Sequence, residues 1–276
     1  MIRKRVGDQF WLITQQDHAR VAGVLARAVG NRQFAHPANP DVVYAAVDAH
    51  DDGWPLHDDA PTLNDAGLPA DVFELPRSTE HPVWLESALR ATRIDPYAGL
   101  LVSLHGLSLS AMAASMVQSD RPDDEHRRRQ FDLNKIQHRL IEHAEGLRAA
   151  LGLATDRPLR LGLADSWSTP AEEQLKFDFR LLQAVDALSL HVCCDRLPAG
   201  IVPQPHPRPG AAQVTLLVSH ADDALHVRPW PFADGVVRVD VPYRAVSALA
   251  FADEERFRAA YHAAPVQTAH AELRAG

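Results

Sequence analysis

The sequence has little sulfur to work with. Its only cysteines are the neighbours Cys193 and Cys194, and adjacent cysteines rarely bridge each other because disulfide geometry is demanding. A thiolate metal site needs more sulfur than this, and the pair suits a reducing cytoplasm. Also missing is any run of about 18 uninterrupted apolar residues, which argues against a transmembrane helix and against a membrane partner. The opening stretch "MIRKRVGDQFWLITQQDH" has positive charge but no apolar core and no small-residue cleavage site, so it does not read as a signal peptide. Positive charge is short overall, with 28 Lys and Arg against 36 Asp and Glu. The resulting formal charge of −8 argues against a nucleic-acid groove, which needs clustered Lys and Arg. The one basic run, "EHRRRQ" at 125–130, lies among acidic residues and reads as a solvated helix face. Glycine-rich nucleotide fingerprints are absent. "GLSLS" (106–110) is not a nucleophile elbow, and Ser103 and His105, two apart on one helix, face different ways, so a serine hydrolase is a weak reading. There is no internal repeat and no long low-complexity segment.

What the chain does have is length and histidine. Its 276 residues suffice for one large domain or a domain with a small appendage, and a hydrophobic fraction of 46% is ordinary for a globular protein. The 15 histidines are an excess, and the informative ones are those on apolar helical stripes.

"FWLIT" (10–14) reads as a short strand. "TQQDHARVAGVLARAVG" follows as an amphipathic helix, with Thr14 and Asp17 in a capping pattern and Gly30 as the stop. His18 lies on its apolar stripe with Val21, Ala22 and Leu25. A second helix starts at "NPD", with Asn39 able to cap and Pro40 at the first position. His50 continues its inward face of Val43, Ala46 and Val47; Asp51 follows about 100° further round, and Gly53 breaks the helix. A third helix starts near His81 and Pro82. A fourth starts at Asp95 and Pro96, and on it His105 continues the stripe of Ala98, Leu101 and Val102. Residues 120–151 read as a long charged helix whose narrow apolar side is Phe131, Leu133, Ile136, Leu140 and Leu147. A further helix, opened by Thr169, Pro170 and Glu172, carries Asp186 on its apolar side. From residue 200 the texture changes: a Pro-rich link leads to alternating β-branched residues around "HADDA", read as a hairpin with one or two more strands, and "DEERFRAAYHA" as a short closing helix. The expected layout is mainly α, a helical body over 1–198 with a charged insertion at about 120–151, and a small antiparallel β appendage over 199–276.

His18, His50, Asp51, His105 and Asp186 are imidazoles or carboxylates where packing residues are expected. One buried histidine is usually satisfied by a backbone carbonyl, but an unpaired buried carboxylate costs several kcal/mol. A divalent cation with N and O ligands removes that cost and gives the histidines a common purpose.

The ordered set "QQDHARVAGVLARAVG", "VDAHDDGW" and "LLQAVDALSL" resembles the HD-domain superfamily of metal-dependent hydrolases, over roughly residues 14–195. The resemblance implies an all-helical bundle in which His18, His50, Asp51 and Asp186 hold a metal. Some members of that superfamily hold two metals with two further histidines, and "EHPVW" and "SLHG" supply His81 and His105 in the right order. The chain departs from the family in its long insertion before Asp186, its extended His-Asp-Asp-Gly-Trp motif and its β appendage. With "HDDGW" and "SLHG" it looks like an uncharacterised bacterial branch.

The resemblance implies hydrolysis of a small-molecule phosphoester by metal-activated water. Asp51 is placed to bridge two metals, and Asp52 to serve as an outer partner or as an acid/base group. Trp54 reads as packing, and His57, Asp58 and Asp59 as a surface loop. Lys135, Arg139 and Arg180 are candidate cations for the substrate. The expected cofactor is one or two divalent transition-metal ions, drawn from Fe, Mn, Zn, Ni and Co. Two other readings stay open. One is a dinuclear-iron oxygenase using His18, His50, Asp51, His81, His105 and Asp186; the other is a non-catalytic metal- or ligand-binding protein. The β appendage is open to the roles of lid, homodimer surface or passenger.

Overall fold

The computed structural model describes residues 1–75, 77–117, 124–153, 169–194, 197, 200–203 and 205–276, apart from the side chains of 77–81, 116, 117, 125, 126 and 201. Its first two elements are strands β1 (Ile2–Val6) and β2 (Gln9–Ile13), an antiparallel hairpin. Helix α1 (Gln15–Ala28) follows at once, and Thr14 caps it by accepting from the Asp17 amide. Helix α2 (Pro40–Ala49) starts on proline with no side-chain cap from Asn39. The short helix α3 (Pro55–Asp58) succeeds the His-Asp-Asp-Gly-Trp motif.

Gly53 in that motif is a packing glycine. Its amide donates to Ser87 Oγ at 2.9 Å, and a Cβ there would lie 2.1 Å from the Val83 carbonyl oxygen. Only hydrogen fits at this approach of the turn to α4 (Arg77–Ile94). Trp54 is 3% exposed and belongs to the main core.

The central helix is α5 (Pro96–Val117), packed against α2, α4, α6 (Asp124–Ala150) and α7 (Pro170–Cys193). Its segment Pro96–Ser115 is long and apolar enough to cross a membrane by length and composition, but 67% of that apolar window is buried inside the protein. That is the packing of a core helix. α7 carries the full capping box expected of Thr169 and Glu172. On α6 the buried stripe is Leu133, Ile136, Leu140, Ala144 and Leu147, whereas Phe131, expected inward, is 68% exposed. Two residues before Leu133, it sits about 200° round the helix from the stripe.

The mainly-α expectation with a small C-terminal antiparallel appendage is overturned. The chain is 51% helix and 20% strand and builds a curled mixed sheet, so the fold is mixed α/β. Strands β3 (Gly200–Ile201), β4 (Leu217–Ala221), β5 (Ala224–Arg228), β6 (Val236–Ser247) and β7 (Val266–Ala275) join β1 and β2 in the order β1-β2-β6-β7-β5-β4-β3. The N-terminal hairpin supplies one edge through β2–β6 pairing, and β5 runs parallel to β7. The sheet is therefore neither confined to residues after 199 nor wholly antiparallel. The "HADDA" hairpin turns between β4 and β5 at Asp222 and Asp223, with φ of 50° and 56°. Helix α8 (Glu254–Ala263) covers a small second core of Met1, Phe10, Leu12, Val246, Phe257 and Tyr261. The main core runs continuously from the helices into β4, β5, β6 and β7.

Candidate metal centre

Four helix segments bring five side chains together. His18 comes from the second turn of α1, His50 and Asp51 from the end of α2, His105 from the middle of α5 and Asp186 from the middle of α7. His18 Nε2 lies 2.9 Å from Asp186 Oδ1 and 3.8 Å from Asp51 Oδ2. His50 Nε2 lies 3.4 Å from Asp186 Oδ1 and 3.6 Å from Asp51 Oδ2, and His105 Nε2 lies 3.6 Å from Asp186 Oδ2. The rings of His18, His50 and His105 stand edge to face along this line, at centroid separations of 5.5 and 5.2 Å. The three histidines are at most 4% exposed, while the Asp51 and Asp186 side chains keep 9% and 14%. Access to the cluster is therefore from the carboxylate side.

Two of the imidazoles are held from behind. His50 Nδ1 donates to the Val47 carbonyl oxygen at 2.7 Å. His18 Nδ1 donates to Ser189 Oγ at 2.8 Å, since that hydroxyl spends its own proton on the Asp186 carbonyl oxygen at 2.7 Å. With Nδ1 engaged from behind in both rings, both Nε2 atoms face the carboxylates; His18 Nε2 donates to Asp186 Oδ1 at 2.9 Å, an oxygen that only accepts, and a bound ion would take the place of that proton. His50 Nε2 is buried and has no well-formed hydrogen bond; its contacts with the two carboxylates are electrostatic.

The chemistry of this donor set fits a divalent transition metal. Neighbouring ligand atoms of one ion, bound at about 2.0–2.2 Å, lie roughly 3–3.5 Å apart. The donor separations quoted above fall in or near that range. Two overlapping groups could hold an ion, His18-His50-Asp51 and His50-His105-Asp186, each with its donor atoms within 4.8 Å of one another. An all N/O set is the choice of imidazole- and carboxylate-binding metals.

Protonation of the cluster follows from burial and charge. Burial works against a charged His50, but Asp51 and Asp186 outweigh it and raise the imidazole to about 9. Burial also works against an ionised Asp186, yet His18, His50 and His105 hold that carboxyl well below its usual range. Asp51 is raised by burial in spite of His50 and His18. Burial lowers His105 to about 4, helped by the neighbouring His50 and His18 and opposed by Asp186. The protein without metal thus carries a proton on His50 where a metal needs a lone pair.

Of the other residues singled out from the sequence, His81 lies in the backbone of α4 with its side chain outside the described residues. Asp52 stands outside both metal-binding groups. Its carboxylate accepts from Gln16 Nε2 at 2.9 Å and borders a surface groove with Arg20, Arg27 and Asp48. Lys135 and Arg139 are exposed on α6, whereas half-buried Arg180 donates to Gln183 Oε1, whose amide donates to Ser108 Oγ.

His57 and Asp58, expected on a surface loop, are buried. Asp58 accepts from the Gln15 amide at 2.8 Å and from the Met1 amino group at 2.7 Å, and so anchors the start of the helix that carries His18. Sequence reading also missed Ser189. Its signal was available: three residues after Asp186 on a helix, it shares that face.

A family model covers residues 1–248, nine-tenths of the chain, from β1 through β6 and including every residue of the cluster. The chain belongs to the DUF3891 family, described as proteins of unknown function. No curated protein and no solved structure matches it. The DUF3891 match stops short of α8 and β7.

Proposed function

We propose that this DUF3891 protein is a metal-dependent hydrolase that cleaves a phosphoester of a small molecule in the cytoplasm. One observation carries the reading: three imidazole Nε2 atoms and two carboxylates converge in a buried pocket, with the rings of His18 and His50 oriented from behind at Nδ1. The order of the HD-like motifs supports the same reading. His18, His50, Asp51, His105 and Asp186 would hold the ion. When bound, the ion supplies a Lewis acid that makes its water acidic near neutral pH. Asp51 and Asp186, on the more open side of the cluster, would orient water at that ion, and their carboxylate oxygens would accept its hydrogen bonds. Arg180, six residues before Asp186 on the same helix and bonded to Gln183, is the candidate cation for a phosphoryl oxygen. Asp52 acts as a positioning residue. Its bond to Gln16 ties the backbone beside Asp51 to the first turn of α1, two residues from His18.

The test is elemental analysis of untagged protein beside His50→Ala and Asp51→Ala, followed by assay of nitrophenyl phosphomonoesters and phosphodiesters. About one equivalent of metal, lost in both variants, with hydrolysis that follows metal content, is the expected result. No metal in supplemented wild type, with both variants folded by circular dichroism, overturns the site. Bound iron with oxygen consumption and no hydrolysis moves the protein to the oxygenase class. Metal without turnover leaves a binding protein.

A further inference from the structure

A second chemical environment lies at the C-terminal end of α7, beginning five residues past Asp186. A cavity of about 470 Å³ opens between the last turn of that helix and the sheet, and none of the five clustered residues lines it. Its size is within the range of small-molecule sites. One wall is His191 and Val192 of α7 with Lys4 of β1; the other is His220, Asp222 and Asp223 of the β4–β5 hairpin. Leu225 and Ala271 contribute apolar floor.

His191 is the unusual member. It is only 7% exposed, its Nδ1 is enclosed without a partner, and Nε2 has no hydrogen bond to any described residue. Its ring lies 6.1 Å from that of His220. A buried imidazole nitrogen without a partner, as Nδ1 is here, costs free energy that a polar group from outside the chain can offset. Burial, and then His220, lower His191 below its ordinary range, so the ring is neutral near pH 7 and offers an acceptor lone pair.

The charge of the cavity selects the sign of the ligand. The Lys4 ammonium already donates to the Val192 carbonyl oxygen at 3.2 Å, and that oxygen belongs to the negative end of the α7 dipole. Glu272 is matched by Arg238 and Arg274. That leaves Asp222 and Asp223 as carboxylates at the rim with no cation beside them in the lining other than Lys4. Both occupy left-handed backbone, where a hairpin more readily accepts Asn or Gly.

We propose that this cavity binds a small organic cation, a primary amine, with its ammonium donating to His191 and to the Asp222–Asp223 rim and its methylenes on Leu225 and Ala271. The site is independent of the metal reading, since it shares no residue with the cluster.

Putrescine is the probe, and succinate is its anionic counterpart of similar length. The histidine ring nitrogens are followed by NMR in the full chain, with calorimetry in parallel. Putrescine shifts the His191 resonances saturably and succinate does not. Asp222→Asn with Asp223→Asn, which keeps residues tolerant of the left-handed turn, weakens binding about tenfold or more, and His191→Phe does the same. Three results overturn the proposal: His191 unmoved by putrescine, succinate acting in its place, or putrescine binding that is unchanged in both variants.

Discussion

Ser189 Oγ stands 2.8 Å from Nδ1 of His18 and at the same time donates to the backbone of Asp186, so one hydroxyl links the two neighbouring helices that supply His18 and Asp186. Ser189→Ala removes that link and the partner that orients the His18 ring at Nδ1. Metal affinity falls about 10- to 100-fold, the usual effect of losing an outer partner of a histidine ligand, while far-UV circular dichroism is unchanged. A chelator-competition titration reads it, and unaltered affinity in the variant would show that Ser189 does not position His18.

The proposed metal binding releases protons. His50 is raised to about 9, so at pH 7 it is protonated in the metal-free protein, and its Nε2 must lose that proton to ligate. Calorimetry in buffers of different ionisation enthalpy therefore gives about one proton released per ion at pH 7, and the apparent affinity rises with pH until His50 titrates. Asp51→Asn removes one of the charges that raise His50 and so reduces the proton count as well as the affinity. A binding enthalpy independent of buffer would sink this account.

Asp178 gives the protein a destabilising element at neutral pH. It accepts from Tyr97 Oη at 2.7 Å and from Gln174 at 3.0 Å, but burial pushes it up to about 6 in spite of those bonds. A carboxyl raised on folding adds stability that is complete below its unfolded value of about 3.9 and lost as pH rises through 6. The span is about 3 kcal/mol at most. Because other carboxylates titrate nearby, the quantity to measure is the urea stability of Asp178→Asn minus wild type. The difference moves in favour of the variant between pH 4 and 7; a flat difference over that window removes Asp178 from the balance.

Gly53→Ala drives a methyl group into the Val83 carbonyl, a backbone atom that cannot swing aside. The expected loss is about 1–3 kcal/mol in thermal or urea unfolding. Because the displaced turn follows Asp51 directly, weaker metal binding accompanies it. Unchanged stability would mean that the α2–α4 approach relaxes freely.

The cluster was legible because its signal is local. His18, His50 and His105 each continue a stripe of apolar residues on their own helix, and Asp186 breaks one. The sheet was not legible in the same way. β1 reads "IRKRV", a charged run with no β-branched alternation, and β7 reads "VQTAHAELRA", rich in alanine and helix formers. Their strand character comes from partners far along the chain: Phe10 pairs with Val246, and Val239 with Ala271. The burial of His57 and Asp58 has the same cause, because Gln15 and Met1 supply the contacts. Asp52 was visible as a carboxylate beside a ligand, but its direction, toward Gln16, depends on how α1 meets α2.

The position of β7 between β6 and β5 makes the last strand a keystone. Without residues 266–275 the sheet is two fragments, β1-β2-β6 and β5-β4-β3, with no strand pairing between them among the described residues. The chain must therefore be synthesised almost to residue 276 before its two sheet halves can join, and until then β5 and β6 each present an open edge to other chains. For a ribosome-bound or truncated form, the vulnerable period is the long wait for ten residues, and crowding by sister chains is the hazard that this topology leaves to be managed.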